Sequence, residues 1–146
     1  MRQLFLCLLL SIFSVGASSQ KKDLNLQGAW KLVVVQEIED GKNVTYFPGR
    51  EKIEQINVWS GNQIFFVGQT TTSKTTREDY GIGTFKINGN NLEETLSVSS
   101  YKEAINKKLR FRVEMKRDTL VQIFFLDENF KPCEETQHVE KYLKIN

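Results

Sequence analysis

The stretch from Leu26 to Ile38 reads LQGAWKLVVVQEI and indicates the fold more strongly than any other part of the chain. Residues two apart share a face of a β-strand. One face of this strand is therefore expected to carry Trp30, Leu32, Val34 and Ile38. The opposite face is apolar as well, through Val33 and Val35, and the segment is predicted to be the first strand of the domain.

The same period of two continues along the chain. Between Leu109 and Lys116, apolar residues at odd positions alternate with charged residues at even positions. That pattern predicts a strand with one buried and one charged face. Another strand is expected to place Leu92, Leu96 and Val98 on one face. Glu94 interrupts this apolar face; if it points inward it needs a partner, because an unpaired buried charge is costly. A basic residue across the barrel or a ligand could supply that partner.

Turn-forming residues separate the strand segments at Asp40-Gly41, Pro48-Gly49, Ser60-Gly61-Asn62, Asn88-Gly89-Asn90-Asn91 and Arg117-Asp118. The predicted strands are 28–38, 43–47, 51–59, 62–69, 80–88, 91–99, 107–116, 119–126 and 136–145. A short helical turn is expected near 101–106 or 128–135. Sequential hairpins of this kind predict an all-β, antiparallel, up-and-down barrel of about 8–9 strands, since closure removes exposed edges. A two-sheet sandwich is the competing architecture.

Residues 1–19 have the features of a secretory signal peptide. Arg2 precedes an apolar run from Leu4 to Val15, which is too short to span a bilayer, and cleavage is expected after Ser19. Cys7 follows a leucine, where a lipoprotein signal requires a small residue, so a lipid anchor is not expected. The sequence thus predicts a secreted or periplasmic protein without a transmembrane segment, with residues 20–146 as a single domain.

The composition of the mature chain excludes several classes of partner. Removing residues 1–19 takes one base from 20 and none of the 18 acids, which leaves 19 against 18 and a net charge of +1. So small a charge provides no field for nucleic acid. Cys133 is the one cysteine left after cleavage, so no internal disulfide can form and the core must provide the stability.

Residues that usually carry catalysis or bind metals are scarce. His138 is the single histidine, which excludes a multi-histidine metal site. The glycines of Gly81-Ile82-Gly83-Thr84-Phe85 lack the lysine of a phosphate-binding loop and instead indicate a close backbone approach. No nucleophile elbow is present. We expect a non-enzymatic protein without a metal or cofactor.

Four segments in order along the mature chain resemble the motifs of lipocalin-like domains, particularly small secreted ones of Gram-negative bacteria. The segments are Leu26-Gln27-Gly28-Ala29-Trp30-Lys31-Leu32-Val33, Tyr80-Gly81-Ile82-Gly83-Thr84-Phe85, Asn90-Asn91-Leu92-Glu93-Glu94 and Glu140-Lys141-Tyr142-Leu143-Lys144. The resemblance implies a calycin-type barrel with Trp30 at its closed end, covered by a basic residue of the last strand, which by position is Lys144. Gly28, Trp30 and Lys144 are then a structural signature rather than a ligand site.

The resemblance also implies a small apolar or amphipathic ligand inside the barrel, with the mouth opposite Trp30 near residues 40–50 and 69–79. The segment 69–79 reads QTTTSKTTRED and is interpreted either as a solvated loop or frayed strand ends, or as a mobile loop at the mouth. The candidate ligand-binding residues are Tyr46, Phe47, Lys74, Arg77, Tyr80 and Glu94.

Two other functions remain open from the sequence. The first is a protein-interaction or inhibitor module with a filled barrel. Phe65-Phe66 and Phe124-Phe125 each place one ring on either face of the sheet, so one ring of each pair should lie outside, where it would suit a homodimer or partner surface. The second is an enzyme on the same fold, which no residue pattern supports.

Overall fold

The computed structural model describes residues 24–124, 126–132 and 137–145. These residues form nine antiparallel strands and one short 3-10 helix, Lys102–Ala104. The strands are β1 (Gly28–Glu39), β2 (Lys42–Phe47), β3 (Lys52–Ser60), β4 (Gln63–Thr71), β5 (Thr76–Asn88), β6 (Asn91–Ser99), β7 (Lys108–Lys116), β8 (Thr119–Ile123) and β9 (Gln137–Lys144). Every predicted strand is present, and the largest differences are at the start of β5 and the end of β8.

Strand pairing closes the sheet into a barrel. The strands follow the order β2-β1-β3-β4-β5-β6-β7-β8-β9, and β1 also pairs with β9. Eight strands, β1 and β3–β9, therefore form the closed barrel, while β2 is an additional strand that pairs with the second half of β1. The predicted up-and-down barrel is confirmed, the sandwich alternative is wrong, and the architecture is consistent with a calycin-like fold.

The closed end of the barrel is built around Trp30, which is almost fully buried. Its Nε1 donates to the backbone oxygen of Leu26 at 2.8 Å, and Lys144 Nζ lies 5.5 Å from the ring centroid. Gly28 has φ +120°, and a Cβ atom there would lie 3.2 Å from Lys144 Cε. The contact between Lys144 and Trp30 that the resemblance implies is thus present, and Gly28 makes room for it.

Two β-bulges change which residues face inward. The register between β1 and β9 shifts between Leu32 and Val34, so Val35 lines the interior instead of the expected Val34 and Ile38. The register between β5 and β6 shifts between Leu96 and Val98, and Val98 is 49% exposed. Each bulge adds one residue to a strand and reverses the alternation beyond it. The expected faces of β1 and β6 are therefore wrong past these points.

The polar segment 69–79 is not a loop. β4 continues to Thr71 and β5 begins at Thr76, so only residues 72–75 form the turn, with Thr72 N–H donating to Thr75 O at 2.8 Å. Threonine has a high β-propensity. Inward-facing Thr70 and Asp79 are also hydrogen-bonded to each other, which compensates for the missing apolar residues.

Several sequence-based expectations lie outside the described residues. They concern the signal peptide at 1–19, Phe125 and Cys133, and residues 133–135 of the second expected helical turn, whose described part, 128–132, forms a turn and no helix. The first helical turn is confirmed by the 3-10 helix at Lys102–Ala104. No helix in the described ranges is long and apolar enough to cross a membrane.

Candidate ligand-binding cavity

The barrel encloses a cavity of about 490 Å³. Its apolar wall comprises Leu32, Val35, Ile53, Phe66, Leu96, Ala104, Leu109, Phe111 and Phe124. Polar and ionisable groups complete the lining: Glu51, Gln55, Asn57, Thr70, Arg77, Asp79, Glu94, Tyr101, Glu103, Gln122, His138, Glu140 and Tyr142. The exposed lining residues, Arg77 and Glu103, mark the mouth. Arg77 lies next to the β4–β5 turn, at the opposite end of the strands from Trp30, as predicted.

A close packing contact shapes the wall between β4 and β5. Phe66 packs over Gly81, where a Cβ atom would lie only 2.2 Å from the ring. On the next inward position of β5, a Cβ at Gly83 would lie 2.2 Å from the backbone oxygen of Thr95. The two glycines therefore provide the close approach that their position inside a strand indicates.

A hydrogen-bonded cluster at the mouth surrounds the buried carboxylate of Asp79. Arg77 Nε donates to Oδ1 at 2.6 Å, Thr70 Oγ1 donates to Oδ2 at 2.6 Å, and Tyr101 OH donates to Oδ1 at 2.9 Å. Burial by itself would raise the pKa of Asp79, but these hydrogen bonds outweigh burial and lower it. The Arg77 guanidinium also lies over the Tyr101 ring, 5.4 Å from its centroid. The positive charge of Arg77 is thus engaged by Asp79.

A second network lies along β9. Tyr142 OH donates to Glu140 Oε2, and it accepts a hydrogen bond from Asn57 Nδ2 at 3.3 Å. Glu140 Oε1 lies 3.2 Å from His138 Nε2. Burial raises the pKa of Tyr142 far above its usual range, with a further increase from Glu140. The phenol therefore stays protonated and acts as a hydrogen-bond donor.

The β9 network continues to β2. His138 Nδ1 lies 3.9 Å from Glu37 Oε1, and Tyr46 OH donates to Glu37 Oε2 at 3.0 Å. The hydrogen bond to Glu37 raises the pKa of Tyr46. These contacts connect the additional strand to the interior of the barrel.

Glu94 points into the barrel, as its sequence phase indicates, and is 6% exposed. Its partner is neither an arginine nor a lysine: Trp59 Nε1 donates to Glu94 Oε1 at 3.0 Å. Burial raises the pKa of Glu94 to about 7, opposed by the Trp59 hydrogen bond and reinforced by Glu140. Near neutral pH the cavity thus contains a carboxyl group that can be ionised or protonated.

Gln122 is the group that the sequence pattern did not single out. It is 2% exposed and lines the cavity, and its Oε1 has no hydrogen-bond partner among the described residues. It lies directly opposite Glu140 in the β8–β9 pairing. Native proteins seldom leave a buried acceptor unpaired, and each such group requires an explanation. The signal in the sequence is a polar residue among the apolar residues of β8, which otherwise run from Leu120 to Ile123.

The six residues predicted as ligand contacts do not come together. Glu94 and Arg77 line the cavity. Lys74 lies exposed in the β4–β5 turn, and Tyr80 is 46% exposed on the outer face, because Asp79 and Gly81 on either side of it face inward. The other two, Tyr46 and Phe47, lie half-buried on β2 and pack against the core outside the cavity lining.

The residues that share the cavity with Glu94 and Arg77 come from distant parts of the chain. Asp79, Tyr101, Gln122, His138 and Glu140 belong to four different segments, so no local motif predicts their proximity. Within the described ranges, no three His, Cys, Asp or Glu residues are grouped to hold a metal ion. The sequence matches no protein-family model, and a search of curated proteins finds no match.

Proposed function

We propose that this protein is a secreted or periplasmic binding protein that holds a small apolar or amphipathic molecule in its barrel without transforming it. The cavity of about 490 Å³ is the observation that carries the proposal. Its size falls in the usual range for small-molecule sites, and it combines an apolar wall with a few convergent polar groups. Export is proposed from the signal-like residues 1–19, and kinship with lipocalin-like domains of bacteria from the four motifs.

The phenols of the cavity support binding over catalysis. These phenols, Tyr101 and Tyr142, have raised pKa values, chiefly because they are buried, and both donate to carboxylates. A protonated phenol that is already engaged is a poor base or nucleophile. The groups in the cavity are therefore suited to orienting a bound molecule.

The proposal can be tested with the uncharged fluorescent probe N-phenyl-1-naphthylamine. The purified protein should enhance its fluorescence, and Leu109→Trp, which fills the cavity from β7, should abolish the enhancement. Val98→Trp adds the same side chain on the outer face of the barrel and should leave the fluorescence enhancement unchanged. Absence of binding, or binding that persists in Leu109→Trp with a wild-type unfolding midpoint, would rule out a ligand inside the barrel.

A second candidate function is protein interaction, favoured by an apolar surface on the outside of the barrel. The exposed residues of this outer apolar surface are Ile56, Phe65, Val67, Tyr80, Ile82, Val98, Leu143 and Ile145. Six of them form two rows across adjacent strands. Ile56, Val67 and Tyr80 are register partners in one row, and Phe65, Ile82 and Val98 in the other. Exposed apolar patches of this kind suit a homodimer or another protein partner. The barrel itself is not filled.

A further inference from the structure

The walls of the cavity carry more negative than positive groups. Five carboxylates line it, against one arginine, and no lysine occurs among its described lining residues. The positive charge of Arg77 is engaged by Asp79 at the mouth. His138 lies between Glu37 and Glu140, so a proton on its ring would offset at most one of the remaining carboxylates. The interior therefore favours a positively charged guest.

The unpaired acceptor lies on the same wall. No described residue donates to Gln122 Oε1. Glu140 is the direct neighbour of Gln122 across β8 and β9, and both side chains line the cavity. Tyr142 connects Glu140 to Glu94 through Trp59. It donates a hydrogen bond to Glu140 and packs edge-on against Trp59, which in turn donates to Glu94. A bound group that donates hydrogen bonds and carries positive charge would provide a donor for Gln122 and a counter-charge for Glu140 and Glu94.

We infer that the ligand is a small amphipathic amine, whose ammonium group donates to Gln122 Oε1 beside Glu140 while its hydrocarbon part contacts Leu96, Leu109 and Phe111. This ligand class rests on the proposed function, since it presupposes binding inside the barrel. An ammonium has three donors and no acceptor, which matches an acceptor-rich wall. A carboxylate head group would meet like charges and leave Gln122 Oε1 unpaired.

The ionisation of Glu94 should make the binding of the amine depend on pH. Of the neighbouring groups, Tyr142 stays neutral, Trp59 does not titrate, and Glu140 adds negative charge. Among the described lining residues, β7 and β8 provide only uncharged side chains. The other ionisable lining groups are Glu51, the paired Asp79 and Arg77, Glu103 at the mouth, and His138, which contacts Glu140. Glu94 acquires its charge as the pH rises through about 7. Affinity for an ammonium should rise over the same interval.

The test compares three eight-carbon molecules, octylamine, octanol and octanoate, as competitors for bound N-phenyl-1-naphthylamine at pH 8. Octylamine should bind about tenfold or more tightly than octanol, as expected for a hydrogen bond to a charged donor, and octanoate should bind least. Between pH 6 and pH 8 the affinity for octylamine should increase, and that for octanol should not.

Two variants locate the ammonium group. Gln122→Leu removes the acceptor. It should lower the affinity for octylamine about tenfold and change the affinity for octanol little. Glu94→Gln keeps an acceptor for Trp59 and removes the charge, so the increase with pH should disappear. The matched control is Glu78→Gln, which removes one charge from the outward face of β5 and should change neither property.

The possible results separate the two levels of the proposal. Equal affinities for the three competitors, or tightest binding of octanoate, would overturn the amine ligand and leave a binding protein of another specificity. A preference for octylamine that survives both variants would overturn the assignment to this wall. If the probe and all three competitors fail to bind, the proposed function itself is wrong.

Discussion

Glu94 is a carboxyl group that is only 6% exposed. Its ordinary pKa is 4.5, and burial raises the pKa to about 7. Below pH 4.5 the group is protonated in both the folded and the unfolded chain, so it costs nothing. Between pH 4.5 and 7 only the unfolded chain ionises, and stability falls as the pH rises. Above pH 7 the cost is constant, on the order of 3 kcal/mol.

Glu94→Gln should therefore stabilise the unliganded protein at alkaline pH. We expect a gain of roughly 1–3 kcal/mol in the free energy of unfolding at pH 8 and no gain at pH 4, measured by urea denaturation. An equal gain at both pH values would mean that ionisation is not the cause. Glu78→Gln, on the exposed face of β5, should show no comparable effect at either pH.

Trp30 packs at the closed end of the barrel and is expected to stabilise the fold. It is 2% exposed, and its indole is held by Leu26 and Lys144. Trp30→Ala should lower the free energy of unfolding by about 3–5 kcal/mol, as for a large truncation in a core. Lys144→Met keeps most of the side-chain volume and should cost only about 0.5–1 kcal/mol. Wild-type stability in Trp30→Ala would contradict its assignment to the closed end.

At the scale of the elements, β9 lines the cavity with its polar side chains. Its polar phase, His138, Glu140 and Tyr142, faces the interior. On the other phase Val139 is buried outside the cavity lining, whereas Leu143, and Ile145 just past the end of the strand, are exposed. In a barrel with a packed core the apolar phase would face inward. The reversed arrangement places hydrogen-bonding groups where a ligand can reach them, and Leu143 joins the outer apolar surface.

The inner face of the β4–β5 hairpin depends on glycine at position 81. Gly81→Ala should destabilise the protein by about 1–3 kcal/mol, because the new methyl group overlaps Phe66. Phe66→Ala removes the obstructing ring, so the double variant should be more stable than the sum of the single effects predicts. Additive effects in urea denaturation would contradict this packing. Gly83→Ala should cost more, since it meets backbone rather than a side chain.

At the scale of the whole molecule, the outer apolar surface predicts self-association. Val67 lies near its centre and is 65% exposed. We expect the purified protein to form a dimer in sedimentation velocity experiments, and Val67→Lys to shift it to a monomer, because a charge would have to be desolvated in the interface. Asn43→Lys, on exposed β2, should leave the dimer unchanged. A wild-type protein that remains monomeric at high concentration would contradict this interface.

The sequence alone determined the barrel and its strands and, through the resemblance, the contact between Lys144 and Trp30, whereas the burial of Glu94 was left open. These features depend on alternation and turn residues, which are local and can be read over a few positions. Only the tertiary structure decided the bulges that turn Val35 inward and Val98 outward, because an extra residue in one strand is defined by the register of its partner.

Tertiary structure also decided the composition of the cavity. Asp79, Tyr101, Gln122 and Glu140 come from β5, the segment after β6, β8 and β9, and closure of the barrel brings them to one interior. The unpaired oxygen of Gln122 is likewise invisible in the sequence, since it depends on the absence of a donor in three dimensions. The alternation of residues along the chain specifies the strands. Which side chains of different strands meet in the cavity depends on the strand register and on closure of the barrel.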